Sequence, residues 1–194
     1  MKTIIVSRPK SGTFLAANLL ENFDMEFTNM ILRPDSYCDL SAGSGLDSFL
    51  PDNQVIFNVR LKDSVHLVPD NGFAVSHLKC NEHKKYVLKD FKKVFVTRDL
   101  KERHKSFQRM KNYFLEKGEA WEDKTYEKID NEMIALWENE PDVFTITFEE
   151  MVEKNVEKIN NLQTFLFGKV KFDSLNAIEK ALQRDSVTKS IQRS

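Results

Sequence analysis

Residues Ser7-Arg8-Pro9-Lys10-Ser11-Gly12-Thr13 gather hydroxyls, positive charge and a glycine into one short stretch. Where such a stretch opens a helix, free backbone N–H groups and the positive end of the helix dipole suit an oxyanion. The chemistry on offer is phosphate binding: Gly12 lets backbone approach the ligand, Ser11 and Thr13 add hydroxyl donors, and Lys10 adds a full charge. A plain helix cap followed by a solvated lysine would use the same residues. The stretch is not a Walker A loop, whose lysine follows its second glycine, because Lys10 precedes Gly12.

The elements that must position this loop follow from hydrophobic periodicity. Ile4 to Ser7 reads as a buried strand, and Leu15, Ala16, Leu19, Leu20 and Phe23 recur at helical spacing, so the loop joins a strand to a helix. Residues Met25 to Asn53 lose periodicity and contain Pro34, Gly43, Gly45 and Pro51, which predicts an irregular stretch. Further strands are expected over Val55 to Val59, Phe73 to His77, Lys93 to Thr97 and Phe144 to Phe148. Leu100, Phe107, Met110 and Phe114 mark a helix running to Gly118, with Asp99 and Glu102 as a capping box. Trp121, Ile129, Met133, Leu136 and Trp137 predict another helix. Val152, Val156, Ile159, Leu162 and Leu166 predict one closing helical face, and Leu175, Ile178 and Leu182 a second. Strands alternating with helices imply a three-layer α/β fold with a mainly parallel sheet and a ligand site at the strands' carboxyl ends.

Several motifs then resemble one family. Arg8-Pro9-Lys10-Ser11-Gly12-Thr13 resembles the P-K-S-G-T loop of the sulfotransferases, and Val94 to Asp99 resembles the strand ending in that family's arginine, here Arg98. The family's serine eight residues later falls at Ser106, and Val75-Ser76-His77-Leu78 is similar to the family's K-T-H-L segment. Thr147-Phe148-Glu149-Glu150-Met151 is similar to its Y-E-E-M segment, with Phe148 in place of tyrosine. The resemblance implies a P-loop-like strand-loop-helix and a sulfuryl donor, 3′-phosphoadenosine 5′-phosphosulfate (PAPS), with the bisphosphate PAP as product and no metal. Lys10 and the backbone N–H groups of Ser11 to Phe14 would hold the 5′-phosphosulfate, and Arg98 and Ser106 the 3′-phosphate. Phe148 would offer an aromatic face. His77 would be the general base, a role that suits a neutral imidazole near neutral pH.

The sequence also departs from the family. Phe14 and Leu15 follow the loop where many relatives have Thr and Trp, Lys79 replaces a proline, and the R-K-G-x-x-G segment that closes over the nucleotide has no clear counterpart. Arg193, with Lys189, is the candidate for part of that charge, and Ser186 and Thr188 for positions near adenine. His66, His83 and His104 match no motif.

Composition sets the bounds. A chain of 194 residues with 41% hydrophobic and 30% charged residues is expected to form one domain over 1–194 with a real core. A formal net charge of -1 argues against coating nucleic acid by bulk charge. The cluster Lys101, Arg103, Lys105, Arg109 and Lys111 reads mostly as the solvated face of one helix, which could still steer a doubly anionic donor by raising the local potential. Cys38 and Cys80 fit no metal spacing and are expected as reduced thiols. No run of about 18 apolar residues occurs, so a soluble, cytoplasmic protein is expected. The expected partners are the nucleotide donor and a small-molecule or glycan acceptor, which Phe27, Phe49 and Phe57 are placed to line. Two alternatives stand beside this one: a P-loop kinase of nucleotides or small metabolites, and a non-catalytic nucleotide-binding relative.

Overall fold

The computed structural model describes residues 1–33, 57–77, 89–116, 131, 134–140 and 142–183. Six strands, β1 (Lys2–Ser7), β2 (Glu26–Arg33), β3 (Phe57–Arg60), β4 (Gly72–Ser76), β5 (Phe91–Thr97) and β6 (Val143–Thr147), form one sheet in the order β3-β2-β4-β1-β5-β6. Every neighbouring pair is parallel. Such a sheet must be covered on both faces, so its central strands read as unbroken apolar runs. β1 shows this: Ile4, Ile5 and Val6 are all fully buried, with Ile5 on one face and its two neighbours on the other.

The first face packs against three helices, α1 (Thr13–Glu21), α5 (Val156–Phe167) and α6 (Ser174–Gln183), which meet Ile5, Val75, Val94, Val96 and Ile146. The opposite face joins Ile4, Val6, Ala74 and Phe95 to Val65 and Val68, which follow the short helix α2 (Leu61–Ser64), and to Trp137 in a helical segment at 134–138. Burying each such side chain contributes about 1.5–3 kcal/mol, and the two layers together hold the sheet between them. The crossover from β1 to β2 passes the first face, whereas the chain between β5 and β6 covers the second. This change of face between adjacent strands is the topological switch point, and ligand sites of open α/β sheets form at the carboxyl ends of the strands there.

Four expectations are corrected. Residues 26–33 are a strand, not irregular chain: β2 slips register between Phe27 and Ile31, and Asn29 takes a left-handed φ of 56°, so no period of two survives in the sequence. β6 stops at Thr147, and Phe148 opens a short helix, α4 (Phe148–Val152). There the Thr147 hydroxyl accepts the Glu150 N–H and the Glu150 carboxylate accepts the Thr147 N–H, a reciprocal cap that ends the strand. In α3 (Leu100–Glu116) only Asp99 caps, accepting the N–H groups of Lys101 and Glu102 at 3.0 Å, while Glu102 turns outward to Lys105 at 2.6 Å. Val152, Val156 and Leu175 are exposed, and Ala177 and Ala181 join Ile178 in the core instead.

Phe27 stacks on Phe73 with centroids 5.0 Å apart, and Phe57 packs against the second core layer. Cys38, Phe49, Cys80, His83, Trp121, Ile129, Met133 and the stretch with Ser186, Thr188, Lys189 and Arg193 lie outside the described residues, as do the side chains of Met110, Lys111 and Phe114. No helix among the described residues is long and apolar enough to cross a membrane.

Candidate active site

The loop leaving β1 starts with a tight turn over Arg8 to Ser11, closed by the Ser11 N–H to the Arg8 carbonyl at 3.2 Å. Proline holds φ negative at the second position, and Lys10 at the third has φ 70°, so this is a type II turn. That third position normally falls to glycine, and a lysine there costs about 1–2 kcal/mol. Gly12 has φ 92°, and a Cβ on it would lie 2.6 Å from Phe148 Cδ2. Glycine is therefore required there both by conformation and by space. α1 then begins with no side-chain cap and no acid in its first turn, which leaves the N–H groups of that turn for another acceptor. The Ser7 and Thr13 hydroxyls, 2.5 Å apart and buried, tie the two ends of the loop together.

Strand register brings three other segments to this loop. Val6 pairs with Ser76, which sets Ser7 beside His77 immediately past β4. His77 Nδ1 lies 2.8 Å from the Ser7 carbonyl oxygen. A carbonyl can only accept, so Nδ1 carries the proton and the neutral ring keeps its lone pair on Nε2. Thr97 pairs with Thr147, which sets Arg98 beside Phe148. The Arg98 guanidinium stacks on the Phe148 ring with Cζ 4.1 Å from its centroid, and Nη1 donates to the Lys10 carbonyl at 3.4 Å.

The site brings several positive charges together. Burial first, then the charges of Arg109 and Arg98, lower the Lys10 amine from 10.5 to about 8. Burial also pulls Arg98 below its ordinary value, opposed chiefly by Glu149, whose Oε1 is 3.9 Å from Arg98 Nε and accepts the Asp99 N–H at 3.3 Å. Arg98 Nε is buried without a hydrogen-bond partner. Lys10, Arg98 and Arg109 thus repel one another around a place that an anion would relieve.

Arg103 is the exception to the solvated-face reading of its helix. It is buried, and its Nη1 donates to the Pro9 carbonyl at 3.3 Å, whereas Lys101 and Lys105 are exposed. Ser106 is buried one turn further along α3. Phe14 packs partly buried against the first core layer, and Arg8 and Ser11 are buried in the turn. The structure therefore gathers Arg8, Lys10, Ser11, Gly12, Thr13, His77, Arg98 and Phe148 around one loop, while Arg193 lies outside the described residues.

Sequence reasoning missed Ser7, Arg103 and Glu149. Ser7 acts through a backbone carbonyl, which leaves no trace in residue type. Glu149 itself carries no signal, but the T-x-x-E cap of Thr147 and Glu150, which turns the chain after β6 and places Glu149 beside Arg98, is readable in the sequence.

Neither a family model nor a curated protein matches the sequence. Solved structures do match. Mouse sulfotransferase SULT7A1 complexed with PAP superposes with a TM-score of 0.55 at 20% identity, covering 93% of this chain and 63% of that one. Retinol dehydratase in complex with androsterone and the inactive cofactor PAP gives 0.56 at 14%, covering 94% and 64%. The chain has the sulfotransferase fold, a parallel α/β sheet flanked by helices, and spans just under two thirds of the length of these neighbours.

Proposed function

We propose that the protein is a sulfotransferase that moves a sulfuryl group from PAPS to a hydroxyl or amine of a small-molecule or glycan acceptor. The observation that carries this is the convergence on one loop of a lysine, an arginine and a histidine from three separate strand ends: His77 bonds to Ser7 and Arg98 to Lys10. The donor set fits the ligand, since Arg109 lowers the proton affinity of Lys10 and of Arg98, and Arg98 that of Lys10, beside an uncapped helix start, and the two solved structures described above were crystallised with PAP.

In the transfer, an acceptor oxygen or nitrogen forms a bond to sulfur as the bond from sulfur to the bridging phosphate oxygen breaks. His77 takes the acceptor proton on Nε2, because Nδ1 is committed to Ser7. Lys10 and the N–H groups of Gly12, Thr13 and Phe14 take up the charge that grows on the departing phosphate, the Ser11 N–H being held by the Arg8 carbonyl, in the positioning and electrostatic logic of phosphoryl transfer. Arg98 and Ser106 hold the far phosphate and orient the donor, with Phe148 offering its ring beside them.

The test is calorimetric titration with PAP beside ATP and Mg²⁺. Micromolar binding of PAP, lost in Arg98→Ala, supports the assignment. Folded protein that ignores PAP rejects it, and ATP binding in its place favours a kinase.

A further inference from the structure

The peptide between Pro9 and Lys10 decides where the lysine points. Type I and type II turns share the same closing hydrogen bond and differ by a flip of the central peptide, which reverses the carbonyl of the second residue and takes the third residue from negative to positive φ. In this turn the central carbonyl is that of Pro9, and the third residue is Lys10 at φ 70°. A lysine left to itself prefers the type I form, because its Cβ resists the left-handed region.

Something must therefore hold the flipped peptide, and the Pro9 carbonyl is taken by Arg103 Nη1 at 3.3 Å from the first turns of α3. The next carbonyl, that of Lys10, is taken by Arg98 Nη1 at 3.4 Å. We infer that Arg103 is a positioning residue that holds the Pro9 to Lys10 peptide in its type II orientation and so aims the Lys10 side chain into the anion site. Arg103 is placed for this by the Asp99 cap, which fixes the start of α3, and its burial removes the competing water that would weaken a surface arginine's grip. The geometry stands by itself. Its meaning for turnover rests on the sulfuryl-transfer reading, in which Lys10 meets the departing phosphate.

The experiment reads Lys10 directly. Lysines are dimethylated with ¹³C-formaldehyde, and the Lys10 methyl signal, assigned by its absence in Lys10→Arg, is titrated by NMR in the wild type, Arg103→Met, Arg103→Gln and Arg103→Lys. The wild-type midpoint is expected near 8. Once the peptide flips, Lys10 leaves its buried place beside Arg109 and Arg98, so the midpoint is expected to rise by about one unit or more in both neutral variants. Arg103→Lys keeps a donor and is expected to restore most of the lowered midpoint. Either neutral variant suffices provided it melts cooperatively. A folded neutral variant whose Lys10 midpoint stays at the wild-type value overturns the inference. PAP titration separates the two readings: wild type that ignores PAP rejects the proposed function even if the Lys10 midpoint moves, whereas PAP binding with an unmoved midpoint rejects only the role of Arg103.

Discussion

The Ser7 carbonyl accepts the Nδ1 proton of His77 at 2.8 Å, so the last residue of β1 fixes the tautomer of the residue that follows β4. The bond joins two neighbouring strand ends, and sheet register alone sets it. His77→Ala is expected to lower turnover by about 10²–10⁴-fold while PAP affinity stays within about threefold of wild type. Single-turnover rates on an identified acceptor, beside calorimetry, check this; unchanged turnover would remove His77 from the chemistry.

Lys10 predicts a pH dependence of opposite sign for binding and for stability. Its amine is charged below about 8 and neutral above, so PAP affinity is expected to weaken as pH rises through that value. Stability runs the other way, because between about 8 and 10.5 the unfolded chain binds the proton that the folded chain has released. The cost of burying the charge is thus fully present below 8 and fades toward 10.5, and Lys10→Met is expected to be more stable than wild type at pH 7 by up to about 3 kcal/mol. Urea denaturation at pH 7 and 10 measures the difference. A gap that does not narrow with pH refutes it.

Gly12 and Phe148 predict a coupled pair. Gly12→Ala meets both a left-handed φ of 92° and the Phe148 ring 2.6 Å from the new Cβ, so a loss of about 2–4 kcal/mol is expected. Phe148→Ala removes the ring but not the φ. The double variant should therefore be more stable than the sum of the singles predicts, by roughly 1 kcal/mol or more in a double-mutant cycle. Strict additivity would show that the ring does not press on the loop.

Glu149 restrains Arg98. Glu149→Gln keeps an oxygen for the Asp99 N–H but removes the carboxylate charge 3.9 Å from Arg98 Nε. PAP is then expected to bind about three- to tenfold more tightly at low salt, with the gain shrinking as salt screens the site. Weaker binding in this variant would mean that the carboxylate orients Arg98 more than it competes with the ligand.

Much of the α/β pattern is legible from local periodicity, because β1 and β5 are buried on both faces and announce themselves as apolar runs. The loop is legible too, since its lysine, hydroxyls and glycine are contiguous. β2 is hidden by the left-handed Asn29 and the register slip around it, which erase the alternation a reader would look for. The inward side of α3 is hidden as well: Arg103 sits in a run of like charges that normally marks a solvated surface, and its acceptor on Pro9, distant in sequence, leaves no local signal. Phe148 looks like the end of a strand because nothing local distinguishes a fifth strand residue from the first residue of a capped helix, apart from Glu150 three positions after Thr147.

The order of the strands has a consequence for how the chain reaches this state. β1 precedes both of its sheet partners in the chain, and its two edges are closed only when residues 72–76 and 91–97 arrive. At a synthesis rate of about 5–20 residues per second, several seconds separate β1 from β5, and until β4 arrives the apolar run Ile4 to Val6 has both edges open. A chaperone or a nascent-chain contact that shelters residues 2–7 over that interval would raise the yield of native protein, and the anion loop would be among the last parts to take shape.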